Sequence, residues 1–441
     1  MGWAPSRHSS LALGVREAPA GGWLVPPGAA YQFDPEDSLE ELRELATSDG
    51  ARVVGTALQR TAAPDPATLV GRGKVTEVRA AAQAAGADFV VFDHDLTPTQ
   101  LRNLEEALDS KVLDRTQLIL DIFARRARSR EGQLQVELAQ LNYLLPRLAG
   151  RGTLLSRLGG GIGTRGPGEQ QLEFDRRRIR ARIRRLKEAI ERVRSRRALQ
   201  RENRRSQQFS TVALVGYTNA GKSTLFNSLT KSGVTTSSRL FATLDPTLRA
   251  LTLKSHRRVL LSDTVGFIRK LPPHLVAAFR ATLEELEAAS LLVHVTDASH
   301  PQREQQDAAV AAQLESLGLS SAARIHVWNK VDRLPPEEAK HLRARYEGSP
   351  REAVTSAYTG EGLDRLLQKF DECLGGEPVT EVEFDLPSWD ARRLALLHRY
   401  GEVLSTEFAG GRTLVRARVG ESIRKRLQRN RSERGRSGSN N

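Results

Sequence analysis

The spacing of apolar residues changes character several times along the chain. Between Ala51 and Asp114, short apolar runs at Arg52–Ala57, Asp88–Phe92 and, more weakly, Lys111–Asp114 alternate with segments of helical spacing at Val75–Ala85 and Thr99–Leu108. Thr97 followed by Pro98 is placed to cap the second helix. This alternation predicts a small α/β domain over residues 51–114, built on a parallel sheet. Gly71-Arg72-Gly73-Lys74 lacks the rest of a phosphate-loop motif and reads as a tight turn before a helix.

The period then becomes heptad. Leu134, Leu138, Leu141, Leu145 and Leu148 form one stripe, and Ile179, Ile183, Leu186, Ile190 and Val193 form another with the same spacing. Two such stripes around a loop predict an antiparallel helical hairpin over residues 115–205, each stripe burying the other. The loop runs from Leu154 to Glu169 and contains a formal G-x-G-x-x-G at Gly161, Gly163 and Gly166. No strand precedes it and Pro167 follows at once, so it reads as a flexible basic tip rather than a dinucleotide site.

Strand–helix alternation resumes over residues 209–373, with apolar runs at Thr211–Val215, Val259–Ser262, Leu291–Val295, Ile325–Trp328 and Ala353–Thr355. This predicts a mostly parallel sheet with helices on both faces. A small α+β domain is expected over residues 378–427, from strands Val382–Leu386 and Thr413–Val419 around a helix at Ala391–Leu404. Residues 428–441 read as a disordered basic tail. Residues 1–50 read as largely disordered, because Met1–Ala30 is rich in Gly, Pro, Ala and Ser.

Composition narrows the class. Hydrophobic residues are 39% and charged ones 27%, as in ordinary globular proteins, and no run suits a transmembrane segment. One cysteine, Cys373, excludes a disulfide within the chain and fits a reducing, cytoplasmic setting. The net charge of +14 is uneven: residues 147–205 hold 19 basic and 6 acidic residues, and residues 412–441 hold 10 and 2. An acidic body with two basic arms points to a polyanion, with nucleic acid favoured over merely well-solvated helices.

The chemistry lies in five short motifs. Gly216-Tyr217-Thr218-Asn219-Ala220-Gly221-Lys222-Ser223 follows a buried strand and opens a helix, the context of a phosphate loop. Its glycines let backbone N–H groups face phosphates, Lys222 adds a charge for the β- and γ-phosphates, and Ser223 offers a hydroxyl to Mg²⁺. Asp263-Thr264-Val265-Gly266 ends the next strand, where Asp263 can hold Mg²⁺ through water and the Gly266 N–H can meet the γ-phosphate. Asn329-Lys330-Val331-Asp332 ends another. A carboxylate there accepts from guanine N1–H and N2–H₂, a donor pair adenine lacks, so Asp332 argues for GTP and GDP over adenine nucleotides. Ser356-Ala357-Tyr358 suits a last guanine-contacting loop. Phe241-Ala242-Thr243-Leu244-Asp245 occupies the place of the first switch, and Thr243 is its candidate for Mg²⁺ and γ-phosphate. Lys222, Thr243 and Gly266 are thus the catalytic candidates, with Ser223 and Thr243 the metal ligands. Phe267 stands where a water-orienting glutamine could be, which predicts slow intrinsic hydrolysis.

Together these residues resemble the HflX family of ribosome-associated GTPases, over about Ala51 to Leu427. The most specific likeness is the Arg157–Glu169 loop continuing through Gln171-Leu172-Glu173-Phe174-Asp175-Arg176-Arg177. The resemblance implies an α/β protein: a small α/β domain, a helical hairpin, a Ras-like P-loop G domain and a small α+β domain. It further implies a monomer that hydrolyses GTP and binds the large ribosomal subunit, through rRNA and protein, to split or rescue stalled ribosomes. A hydrophobic residue such as Phe267 fits the family, and Asn219 resembles the asparagine of K⁺-activated relatives. DNA is not an expected partner. The alternative is a GTPase that acts on another RNA or in ribosome assembly.

Overall fold

The computed structural model describes residues 9–16, 35–61, 63–148, 167–206, 210–231, 240–241, 243, 246–255, 257–269, 285–375, 379–420, 423–424 and 427. The Gly-rich tip at residues 149–166 and the tail from residue 428 lie outside them. The chain divides into two compact units. The first holds residues 1–201, 235–245 and 265–284, and the second holds the remainder.

The first unit is organised by a parallel sheet of order β2-β1-β3-β4, made of β1 (Ser9–Arg16), β2 (Arg52–Arg60), β3 (Phe89–Phe92) and β4 (Lys111–Asp114). Helices α1 (Pro35–Ser48), α2 (Arg72–Ala85) and α3 (Pro98–Leu108) connect the strands. The expected cap of α3 forms as a capping box, with Thr97 accepting from the Gln100 N–H and Gln100 bonding back to the Thr97 N–H. Val90, Phe92, Leu104, Leu108 and Val112 lie in the core.

Within residues 1–50, expected to be largely disordered, the described residues hold two ordered elements: β1 runs between β2 and β3, and α1 buries Leu39, Leu42 and Leu45 at helical spacing. The Gly- and Pro-rich flanks hid β1, whose order comes from pairing on both sides. Residues 115–126, expected within the hairpin, form α4, which buries Leu118, Ile119, Leu120, Ile122 and Phe123 and contacts α1, β3 and β4. Asp114 starts it by accepting from the Gln117 N–H.

α5 (Arg130–Arg147) and the long helix Pro167–Ser206 carry the two heptad stripes. Leu134, Ile183 and Leu186 are buried, and Arg182 makes a two-pronged ion pair with Glu137 at 2.7 and 2.8 Å. Arg177, Arg178, Arg180, Arg184, Arg185, Arg192 and Arg194 remain exposed along the long helix.

The second unit contains a six-stranded sheet of order β10-β9-β8-β5-β7-β6, parallel except for the edge strand β6 (Thr247–Thr252). The other strands are β5 (Thr211–Gly216), β7 (Arg258–Asp263), β8 (Leu291–Asp297), β9 (Arg324–Asn329) and β10 (Glu352–Val354). Val212, Leu214, Val293, Val295, Ile325 and Val327 pack with Leu225, Phe226 and Phe370 into its core. The same unit carries an antiparallel sheet β11-β13-β12 (Val379–Pro387, Arg412–Gly420 and Glu402–Ala409). The helix expected at Ala391–Leu404 stops at Tyr400, and β12 begins at Glu402. A Cβ at Gly401 would fall 2.6 Å from Val419 Cγ1 and 3.1 Å from the Arg418 carbonyl, so a side chain there would need β13 to shift. Gly410 and Gly411, both at positive φ, turn β12 into β13.

Candidate nucleotide-binding site

Gly216, Asp263, Asp297 and Asn329 end the parallel strands β5, β7, β8 and β9, so all four fall at one edge of the sheet. That edge is where open α/β sheets bind ligands.

The phosphate loop leaves β5 at Gly216 (φ 149°), turns at Asn219 (φ 61°), and enters the helix Lys222–Thr230 through Gly221 (φ 94°). Lys222 is buried, and its ammonium donates to the carbonyls of Gly216 (3.1 Å) and Tyr217 (2.6 Å). Burial pushes its pKa down to about 8, against the opposing charge of Asp263. Ser223 Oγ donates to Asp263 Oδ2 at 2.7 Å, so a hydroxyl and a carboxylate oxygen converge there. Thr264 Oγ1 donates to the Leu214 carbonyl at 2.6 Å and fixes the end of β7 against β5.

Asn329 is the hub of the loops that follow β5, β9 and β10. Its Nδ2 donates to the Ala220 carbonyl (3.0 Å), and its Oδ1 accepts from the Ala357 N–H (2.9 Å) and the Thr355 hydroxyl (3.4 Å). A side chain at Gly221 would collide with that same amide. Lys330, at φ 63°, pairs with Asp297 at 2.6 Å. Ser356 Oγ donates to Asp332 Oδ1 at 2.5 Å and accepts from the Thr359 N–H, while Tyr358 beside it is fully solvated. Val331, in the short 3₁₀ turn Val331–Arg333, is buried.

Phe241, Thr243, Val265, Gly266 and Phe267 belong to the first unit; Ala242, Leu244 and Asp245 lie outside the described residues. Phe241 is buried at φ 57°, its ring edge-on to Phe123 with centroids 4.6 Å apart. The Leu240 N–H donates to Ser48 Oγ at 3.0 Å. Phe267 is buried, and the carbonyl of Arg269 accepts from Arg115 at 3.2 Å. Arg115 is itself buried, pairing with Asp93 at 2.7 Å and with Glu41.

Sequence reasoning missed Asp297, Ser48, Arg115 and Phe123. Asp297 had a readable signal, since it closes a buried run as Asp263 and Asn329 do. The other three had none, because their partners in the Leu240–Arg269 region lie more than 100 residues away.

A glycine-rich turn between the first parallel strand and its helix, with polar strand ends beside it, defines a P-loop nucleotide-binding protein. Three family descriptions match in succession: "GTP-binding GTPase N-terminal" over residues 36–124, "GTP-binding GTPase Middle Region" over 126–204, and "50S ribosome-binding GTPase" over 211–330. The chain is 48% identical to GTPase HflX of Caldanaerobacter subterraneus, over 89% of this chain and 90% of that one. With GTPase HflX of Escherichia coli the identity is 46%, covering 81% and 84%. This chain belongs to the HflX family of GTPases. A GTP-binding protein of Sulfolobus solfataricus solved with GDP aligns at 22% identity and a TM-score of 0.44, covering 84% of this chain and 99% of that one.

Proposed function

We propose that this GTPase binds the large ribosomal subunit and uses GTP binding and hydrolysis to split or rescue stalled ribosomes. In this reading Lys222 and the loop N–H groups hold the phosphates, Asp332 and the Ser356-Ala357-Tyr358 loop hold guanine, and Thr243 and Gly266 sense the γ-phosphate. Ser223, with Thr243 and a water on Asp263, holds Mg²⁺. The convergence of a hydroxyl and a carboxylate oxygen suits that hard cation. Mg²⁺ supplies charge neutralisation between the phosphates. Asn219 is assigned a K⁺ ion beside them, and a cytoplasmic monomer is the working form.

The observation that carries the ribosomal reading is the row of exposed arginines along Pro167–Ser206, a surface suited to the phosphates of RNA. Among the described residues no helix is long and apolar enough to cross a membrane. Phe267 cannot orient water by hydrogen bonding, so hydrolysis waits on a partner.

Single-turnover GTP hydrolysis with and without purified large subunits tests this. The expected rise is on the order of 10³-fold or more, the scale of trans-acting GTPase activation. Replacing residues 159–168 by a Gly-Ser linker is expected to leave intrinsic hydrolysis near wild type while reducing subunit dissociation. Equal rates with and without subunits refute the proposal. Stimulation by another RNA alone redirects it to that RNA.

A further inference from the structure

The six-stranded sheet is not apolar where β8 and β9 run beneath the helix Arg303–Ser316. His294 and His326 are direct register partners on these parallel strands, and their rings stack with centroids 4.7 Å apart and planes 14° from parallel. Asp307, on the helix, reaches both. One carboxylate oxygen lies 3.3 Å from His294 Nε2, and the other lies 3.4 Å from His326 Nε2. The three potential ligand atoms all fall within 4.8 Å of one another.

His294 is 4% exposed, and its Nε2 faces the carboxylate without the alignment of a hydrogen bond. Polar rings and a carboxylate buried between a sheet and a helix carry a desolvation cost that a poorly aligned contact does not offset. A bound cation offsets it. In a tetrahedral shell with bonds of about 2.0–2.2 Å, neighbouring ligand atoms stand about 3.3–3.6 Å apart, close to the distance of each ring nitrogen from the Asp307 oxygen that faces it.

We propose that His294, Asp307 and His326 form a binding site for a borderline divalent transition ion of the zinc class. Two imidazole nitrogens and one carboxylate oxygen disfavour Mg²⁺ and Ca²⁺, which take oxygen shells, and suit Zn²⁺ or Co²⁺ with water in the fourth position. The surrounding groups support the ligands. Glu352 Oε2 lies 3.5 Å from His326 Nδ1 and accepts from Trp328 Nε1 at 2.9 Å, the carboxylate–histidine pairing that orients a metal-bound ring. Thr296 donates to Asp307 and lies 2.8 Å from His326 Nε2, a contact the ion replaces. Asp307 and His326 are each 20% exposed, which gives an ion a way in.

The site is tested on the full chain, stripped with chelator and then saturated with GDP and excess Mg²⁺ so that the nucleotide's own cation is supplied. Titration with Co²⁺ is expected to fill one site per chain, with the intense visible bands of tetrahedral cobalt, and Zn²⁺ is expected to displace it. His326→Gln and Asp307→Asn are expected to weaken binding about a hundredfold. GDP affinity serves as their folding control, and His398→Gln, on the exposed surface, is expected to change nothing. Cobalt binding that survives both ligand variants overturns the proposal. So does an X-ray absorption spectrum of the wild-type zinc complex showing fewer than two imidazoles, a result that needs no variant.

Discussion

In the second unit, the loops at the sheet edge are tied to one another by short polar bonds: Asn329 to Ala220 and Ala357, Lys330 to Asp297, and Ser356 to Asp332. In the first unit, Leu240, Phe241 and Arg269 are held by Ser48 of α1 and by Phe123 and Arg115 of α4. The motifs proposed to grip the nucleotide are therefore preorganised by their own sheet. The segments proposed to sense it take their conformation from side chains far away in sequence. Gripping can stay constant while sensing is set by another part of the fold. An opening of those segments would break the Phe123–Phe241 ring contact and the bonds to Ser48 and Arg115, the kind of local rearrangement a switch uses.

Phe123→Ala tests that division most severely. Removing a buried phenyl ring is expected to cost about 3 kcal/mol in the first unit. Hydrogen exchange at Leu240 and Phe241 should accelerate sharply while protection in the helix Lys222–Thr230 and the affinity for GDP stay near wild type. Equal loosening of both sets of amides would erase the distinction.

Asp332→Asn probes the gripping side. An amide donor facing guanine donors is expected to weaken GTP binding by about 1–3 kcal/mol and to shift preference toward xanthosine nucleotides. Equilibrium binding of the two nucleotides measures it, and unchanged GTP affinity removes Asp332 from the base pocket.

The smallest effect is in pH. Lys222 has its pKa lowered by burial to about 8, so the nucleotide-free loop loses that charge as pH rises through 8. Bound phosphates favour the protonated form, so GDP affinity is full below about pH 7 and about tenfold weaker near pH 9. Lys222→Arg, which keeps its charge, should flatten the profile. A wild-type profile that is already flat would show that the buried ammonium does not limit binding.

Most of the sheet edge was legible because its motifs are contiguous and directly follow apolar runs. Gly216–Ser223, Asp263–Gly266 and Asn329–Asp332 each need only a strand end to be placed, and the structure puts them at the ends of β5, β7 and β9. The heptad stripes were legible for a similar reason, since periodicity is local. What escaped depends on distant partners. Arg115 is a charged residue with no sign that Asp93 and Glu41 will bury it, and α4 gives no hint of which side it covers. β12 was hidden because the apolar spacing of Ala391–Tyr400 runs on through Leu404, while the chain turns extended at Gly401, where it passes close to β13.

The bonds of Asn329 carry a warning for anyone re-engineering base choice. Its side chain never needs to meet the base to matter, because it braces the Ala220 carbonyl and the Ala357 amide at once. A substitution there would mimic a specificity mutant in a growth assay while in fact loosening the phosphate cradle. Asp332, which among the described residues accepts one hydrogen bond, from Ser356, is the cleaner handle for an orthogonal nucleotide. A change of base preference therefore starts at the carboxylate rather than at the amide three residues earlier, whose loss disturbs two loops at once.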